Sequence, residues 1–230
     1  MWELSATEAE AIGLSLKVAF WAVLVSIPLG VCAAWLLARR RFVGHSVFNG
    51  LIHLPLVLPP VVIGYLLLVL FGKQGPLGAF LFDVFGITVA FTWKGAAIAS
   101  GVMAFPLMVR AIRLSYEGVD QRLEAAARTL GAGRFRVFAT ITLPLIAPGI
   151  LVGTILAFAR SLGEFGATIT FVSNIPGETR TLPLAIFTEV QTPGADATAI
   201  RLVIISVVIA LVALILSEFL ARRVNKRLGS

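Results

Sequence analysis

The stretch EAAARTLGAGRFRVFATITLP, Glu124 to Pro144, is alanine-rich, basic and broken by two glycines, and it stands between long apolar runs. Its local pattern is helical. Asp120 is a good N-cap for the residues that follow, because a short carboxylate there accepts an otherwise unpaired amide. Gln121 to Leu130 contains strong helix formers, three successive alanines among them. Leu123, Ala126, Ala127 and Leu130 fall on one face at i, i+3, i+4 and i+7. Gly131 fits the position after the helix end, where a left-handed residue is favoured. Arg134 to Thr140 predicts a second short helix with Phe135 and Phe138 inward, and Pro144 suits the first turn of another helix. The pattern alone fits two structures: a helix-turn-helix whose small alanine face seats in a partner's groove, or an amphipathic pair touching only lipid headgroups.

The composition around it decides the class. Of 230 residues, 58% are hydrophobic and only 13% charged, with no polar tract long enough for a separate soluble domain. A soluble domain carries about a quarter charged residues. A mean hydropathy of +0.96 therefore predicts an integral membrane protein, and residues 1–230 read as one membrane domain. The single cysteine, Cys32, permits no intramolecular disulfide and reads as a small buried hydrophobe. The acidic start MWELSATEAEAIG, with Arg39-Arg40-Arg41 after rather than before the first apolar run, is not the pattern of a cleavable signal peptide.

A span needs about 20 mostly apolar residues. Five segments qualify: about Leu14 to Ala38, Leu51 to Phe71, roughly Val89 to Leu114, Pro144 to about Gly163, and Leu202 to Leu220. The basic residues then set topology. Three lie at 39–41, six at 110–136 (Arg110, Arg113, Arg122, Arg128, Arg134, Arg136) and four in the tail (Arg222, Arg223, Lys226, Arg227). Five spans with the N-terminus outside put these thirteen of the 19 Lys and Arg on the cytoplasmic side, as positive-inside topology requires. That distribution, rather than nucleic-acid binding, accounts for the net charge of +7. Residues 76–87 and 165–190 read as outside loops with short or re-entrant helices, since a sixth span would break the agreement.

Polar and small residues mark the spans unevenly. Pro55, Pro59, Pro60 and Pro106 predict bends, either as packing irregularities or as kinks lining a cavity. Gly149, Gly153, Ala157 and Ser161 recur every four residues, a spacing that lets helix backbones approach closely. Arg160 and Glu164 share that face and stand four apart, so they can pair with each other. They read either as a structural pair fixing the end of the span or as an intramembrane functional site. His53 and Tyr65 read as packing or interface residues, and Lys17 as a side chain snorkelling to the interface.

Ala126-Ala127, Gly131, Ile141, Leu143 and Pro144 resemble the EAA loop of bacterial ABC-importer permeases: two alanines, three residues, glycine, nine residues, then Ile-x-Leu-Pro. Counting back from Gly131 puts the motif's glutamate at Ala125, with Glu124 one residue earlier. HLPLVLPPVVIGYLLL, FPLMVRAIRL, LEAAARTLGAG and LAFARSLGEFGATITFVSNIPGETRT extend the resemblance over nearly the whole chain. Together they look like the molybdate ABC transporter permease family, with tungstate as a second candidate cargo, and the segment Ala159 to Thr181 leans toward that family over the related sulfate permeases.

The resemblance implies an all-α bundle of five transmembrane helices plus a cytoplasmic coupling helix pair at about 115–143, the type I ABC-importer permease fold. It implies a homodimer in the bacterial inner membrane, two ABC ATPase subunits, and a periplasmic or extracellular oxyanion-binding protein. It assigns ATPase coupling to Glu124, Ala125, Ala126, Ala127, Gly131, Ile141, Leu143 and Pro144. The chain carries no G-x-x-x-x-G-K-[ST] phosphate loop. No cofactor is expected on this chain, and ATP-Mg is expected on the partner ATPase. Arg160, Glu164 and Thr168 are the candidates for the translocation path or its outer gate. A membrane-embedded enzyme built on His53, Arg160 and Glu164 is the alternative of a different class. It fails on depth, because His53 stands near the inner end of one span and Glu164 near the outer end of another, at about 1.5 Å rise per residue.

Overall fold

The computed structural model describes residues 4–228, and beyond Leu216 it describes helical backbone but few side chains. Twelve stretches of helix account for the described regular structure, and no strand occurs among those residues. Among the described residues four helices are long and apolar enough to cross a membrane: α1 (Ala6–Arg39), α5 (Trp93–Gly118), the continuous run Arg134–Leu162, and the Asp196–Leu216 part of α11 (Asp196–Leu228). The remaining predicted span is broken. It consists of α2 (His45–Val57) and α3 (Pro60–Phe71), bent by 116°. Both halves are shorter than the roughly 30 Å hydrocarbon layer, at about 1.5 Å per residue.

The break follows from two consecutive prolines. Leu58 precedes Pro59, and Pro59 precedes Pro60, and a residue before proline is pushed out of the helical region. Both are extended, with ψ of 145° and 135°. Pro60 then opens α3 at its first turn, where its missing amide costs nothing. Pro55, by contrast, is buried inside α2 without ending it.

Contacts between helix ends fix the layout. Arg39, at the end of α1, donates to the Val119 carbonyl just past α5. His45, opening α2, contacts the Leu37 carbonyl. These define a basic end. At the far end, Lys17 of α1 lies 3.9 Å from the Trp93 ring at the start of α5. Glu8, near the start of α1, pairs with Arg201 near the start of α11 at 2.6 Å. The chain therefore passes from far end to basic end in α1, back through the broken pair, and again along α5. It returns along Arg134–Leu162 and makes a last pass in α11. The tail side chains Arg222, Arg223, Lys226 and Arg227 lie outside the described residues.

α5 is the central helix, packed along α1 and along α8 (Leu143–Leu162). The predicted stripe makes the second contact: Gly149, Gly153, Ala157 and Ser161 are all buried. A Cβ on Gly153 would stand 3.0 Å from the Met108 carbonyl oxygen, and one on Gly149 would stand 2.9 Å from that of Ala111. Short α4 (Pro76–Phe85), α9 (Gly166–Val172) and α10 (Leu182–Gln191) fill the segments expected to hold loop helices. The core divides into a far-end cluster around Val18, Ile63, Ala99 and Phe171, and a basic-end cluster around Leu37, Met108, Ile112, Tyr116 and Ile146.

Lys17 stacks on Trp93 at the far end. Two expectations are corrected. Cys32 is exposed on α1 rather than buried, because the face of that helix set against α5 is formed by Gly30, Ala33, Ala34 and Leu37. The second helix of the predicted pair is not separate: α7 (Arg134–Val137) runs through a π-helical turn, Phe138–Thr142, directly into α8. Within it Val137 is buried, and Phe135, about 200° away around the helix, is 83% exposed.

Candidate functional site

α6 (Gln121–Thr129) forms as its residues dictate. The Asp120 carboxylate accepts the Arg122 amide at 2.9 Å, and Gly131 follows the helix end with φ of +85°. The Gly131 amide then donates to the Arg128 carbonyl and the Ala132 amide to that of Ala127, closing the C-terminal turn. No residue of α6 is buried. Leu123, Ala126 and Leu130 make an exposed ridge, Leu130 at 88%. Ala125 is also exposed, while Glu124 and Ala127 turn toward the bundle. The apolar face expected from the sequence is thus largely free of contact with its own chain.

Glu124 is the polar side chain through which α6 reaches other elements. Its Oε1 accepts the Thr142 hydroxyl at 2.8 Å and lies 3.5 Å from the Arg39 guanidinium. Its Oε2 lies 3.4 Å from Arg128, one turn on. Ile141 is half-buried and Leu143 exposed. Pro144 sits just past the π-helical turn, where Leu143 donates to Phe138, five residues back. Pro144 has no amide to give to the preceding turn, and the wider turn accommodates the gap.

At the far end the structure joins Arg160 and Glu164 as an ion pair at 2.7 Å, with side-chain exposures of 30% and 1%. The Glu164 Oε1 also accepts the Ala167 amide at 2.8 Å, holding the first turn of α9. Thr168 is fully buried, and its hydroxyl donates to the Phe165 carbonyl at 2.8 Å. α9 is seated on α3 with almost no clearance: a Cβ on Gly64 would fall 2.5 Å from the Ala167 carbonyl oxygen, and one on Gly166 would fall 2.8 Å from Pro60 Cβ. Ser161, from the small-residue stripe, lies 3.5 Å from the Ser100 carbonyl.

His53 contacts its own helix, at the Asn49 carbonyl, and Asn49 accepts from Arg113 at the basic end. His53 therefore stands apart from the Arg160–Glu164 pair. Tyr65 is exposed on α3. A cavity of about 790 Å³, lined mainly by apolar side chains including Trp21, Phe48, Phe71, Trp93 and Phe105, opens between α1, α2 and α5. Among the described residues no cluster of His, Cys, Asp and Glu is arranged to hold a metal ion.

Residues 26–226 match the family of binding-protein-dependent transport system inner membrane components. The chain belongs to that family. The permease is 63% identical to the Molybdenum transport system permease protein ModB of Escherichia coli strain K12, covering 98% of this chain and 99% of that protein. It is 59% identical to the protein of that name from Haemophilus influenzae, over 96% and 97%. Its identity to the sulfate transport system permease protein CysW of Synechocystis is 37%, over 87% and 73%. In fold, it superposes on the crystal structure of a bacterial alginate ABC transporter in complex with its alginate-bound periplasmic protein, with a TM-score of 0.76 at 19% identity. That match covers 96% of this chain and 81% of that one. The fold of the permease is that of type I ABC importers.

Sequence reasoning singled out both regions of the permease described above, α6 and the Arg160–Glu164 pair. It missed Arg39 and Thr142 as partners of Glu124. Arg39 figured only as one member of a charge cluster, and Thr142 as the variable position of Ile-x-Leu-Pro. No local periodicity links them, since their contacts arise where three separate elements meet.

Proposed function

We propose that this permease forms the membrane path of an ATP-driven molybdate importer. The observation that carries the reading is the near full-length similarity to molybdenum permeases, well above that to a sulfate permease. Tungstate, a tetrahedral dianion like molybdate, is a second candidate cargo. In this reading two copies of the chain pair in the inner membrane, with the N-terminus outside and the basic end in the cytoplasm. Two ABC ATPase subunits dock below, and an oxyanion-binding protein delivers the cargo from outside.

The exposed Leu123–Ala126–Leu130 ridge supports docking of α6 in a groove of the ATPase, because an apolar ridge at a solvent-facing bundle end gains from being covered. Closure of the ATPase pair would then move α6 and switch the spans between inward-open and outward-open packings, a two-state element biased from both sides. At the other end, the Arg160–Glu164 pair and Thr168 belong to the turn that joins α8 to α9, and we place the outer gate at this junction. A dianion is costly to carry through hydrocarbon, and a path lined by small residues, hydroxyls and backbone dipoles would lower that cost without binding it tightly.

The test is uptake of radiolabelled molybdate in a strain lacking its own permease, with the cognate ATPase and binding protein present. Uptake competed by unlabelled molybdate and tungstate, and poorly by sulfate, is the expected result. Competition by sulfate at equal concentration would assign the permease to sulfate transport.

A further inference from the structure

We infer that Glu124 is the joint through which α6 acts on the spans: a positioning residue that ties the docking helix to α1 through Arg39 and to the α7–α8 run through Thr142. The inference rests on the coupling role proposed above and specifies how motion leaves α6.

The geometry singles out this residue. α6 has no buried residue and so no apolar anchor in the bundle. Its other side-chain hydrogen bonds stay within its own turns: Asp120 caps Arg122, and Thr129 donates to Ala126. Glu124 alone bonds outward, and its side chain is only 14% exposed. Each partner sits at a mechanically useful place. Arg39 ends α1, is 11% exposed, and also holds the Val119 carbonyl at 3.2 Å, where α5 passes into α6. Thr142 closes the π-helical turn, 4% exposed, at the point where the ladder of the long Arg134–Leu162 helix is already interrupted. A helix bends where its ladder is broken. A pull on Glu124 is therefore delivered to the end of one crossing helix and to the weak point of another.

The junction also has spare polar capacity. Among the described residues, the Arg39 Nε and the Tyr116 hydroxyl are buried there without hydrogen-bond partners.

The experiment uses the whole transporter, permease with its ATPase and binding protein, reconstituted in lipid vesicles. The readouts are molybdate moved per ATP hydrolysed, and the amount of ATPase co-purifying with the permease. Glu124→Ala is expected to lower the transport-to-hydrolysis ratio about tenfold, in the range of ordinary coupling free energies, while ATPase co-purification persists. Thr142→Val, which keeps the ion pair and removes one bond, is expected to lower the ratio by a smaller factor, about threefold. It serves where Glu124→Ala accumulates poorly. Adding Glu124→Gln to Arg39→Gln should cost little more than Arg39→Gln alone, since the Glu124–Arg39 pair is already broken there, and a fully additive loss would overturn that pair as the link.

An unchanged ratio in Glu124→Ala, or in Thr142→Val where the first does not accumulate, overturns the joint. Loss of ATPase co-purification in Glu124→Ala also overturns it, because Glu124 would then be a docking contact. Failure of the docking reading is separately visible: Leu130→Glu would leave ATPase co-purification intact, whatever Glu124 does.

Discussion

At the scale of single residues, close backbone approach and paired charge explain most of what the spans tolerate. Gly64 lets α3 meet the Ala167 carbonyl, and neither backbone can yield like a flexible side chain. Gly64→Ala is expected to destabilise the permease by about 1–3 kcal/mol, the range for overpacking, read as a lower thermal unfolding midpoint in detergent. Gly50→Ala is the control: nothing lies within 4 Å of a Cβ there, and alanine is the better helix former by up to about 1 kcal/mol. An equal effect at both sites would show that the α3–α9 contact is not tight. Arg160 presents a second case. Removing it leaves the Glu164 carboxylate, 1% exposed, without its cation. Breaking a buried pair costs about 3–5 kcal/mol, and the 30% exposure of Arg160 puts this pair at the low end. Arg160→Ala should lower the unfolding midpoint, and Arg160→Ala with Glu164→Gln should recover part of the loss. No recovery would mean that the arginine acts by filling space rather than by its charge.

At the scale of elements, the broken pair and α6 behave differently although both were visible as irregularities. α2 and α3 are separated because two successive pre-proline residues must be extended. α6 is separated because Gly131 adopts a left-handed turn that stops it. What α6 then offers is decided by what it fails to bury. Leu130→Glu puts a charge on the exposed ridge without disturbing any contact within the chain, since Leu130 is 88% exposed. The variant should insert in the membrane normally and lose ATPase co-purification by at least about tenfold, because a buried, unpaired charge at an interface costs several kcal/mol. Pull-down of the ATPase from detergent extracts, normalised to permease, measures this. Normal co-purification would leave α6 as an interfacial helix resting on lipid.

At the scale of the whole molecule, the ends of the bundle carry the topology. Glu8 and Arg201 start two helices at one end, and Arg39 and Val119 finish two at the other. With the N-terminus outside, a cysteine at Ala6, in a Cys32→Ala background, should react with an impermeant maleimide added to intact spheroplasts. Labelling only after lysis would invert the orientation proposed here. The sequence by itself determined the class, the number of passages and the short helix after α5. Each follows from local quantities: run length, residue charge, helix propensity and the glycine or proline that ends an element. The small-residue stripe and the Arg160–Glu164 pair were equally legible, because both lie within one helix at a period of four. Only the tertiary structure decided the 116° turn between α2 and α3, the continuous run from Arg134 to Leu162, and the outward face of Phe135. Only it could join Glu124 to Arg39 and Thr142. Those contacts link three elements whose relative placement is set by how α1, α5 and α8 pack, and no periodicity within any one of them encodes it.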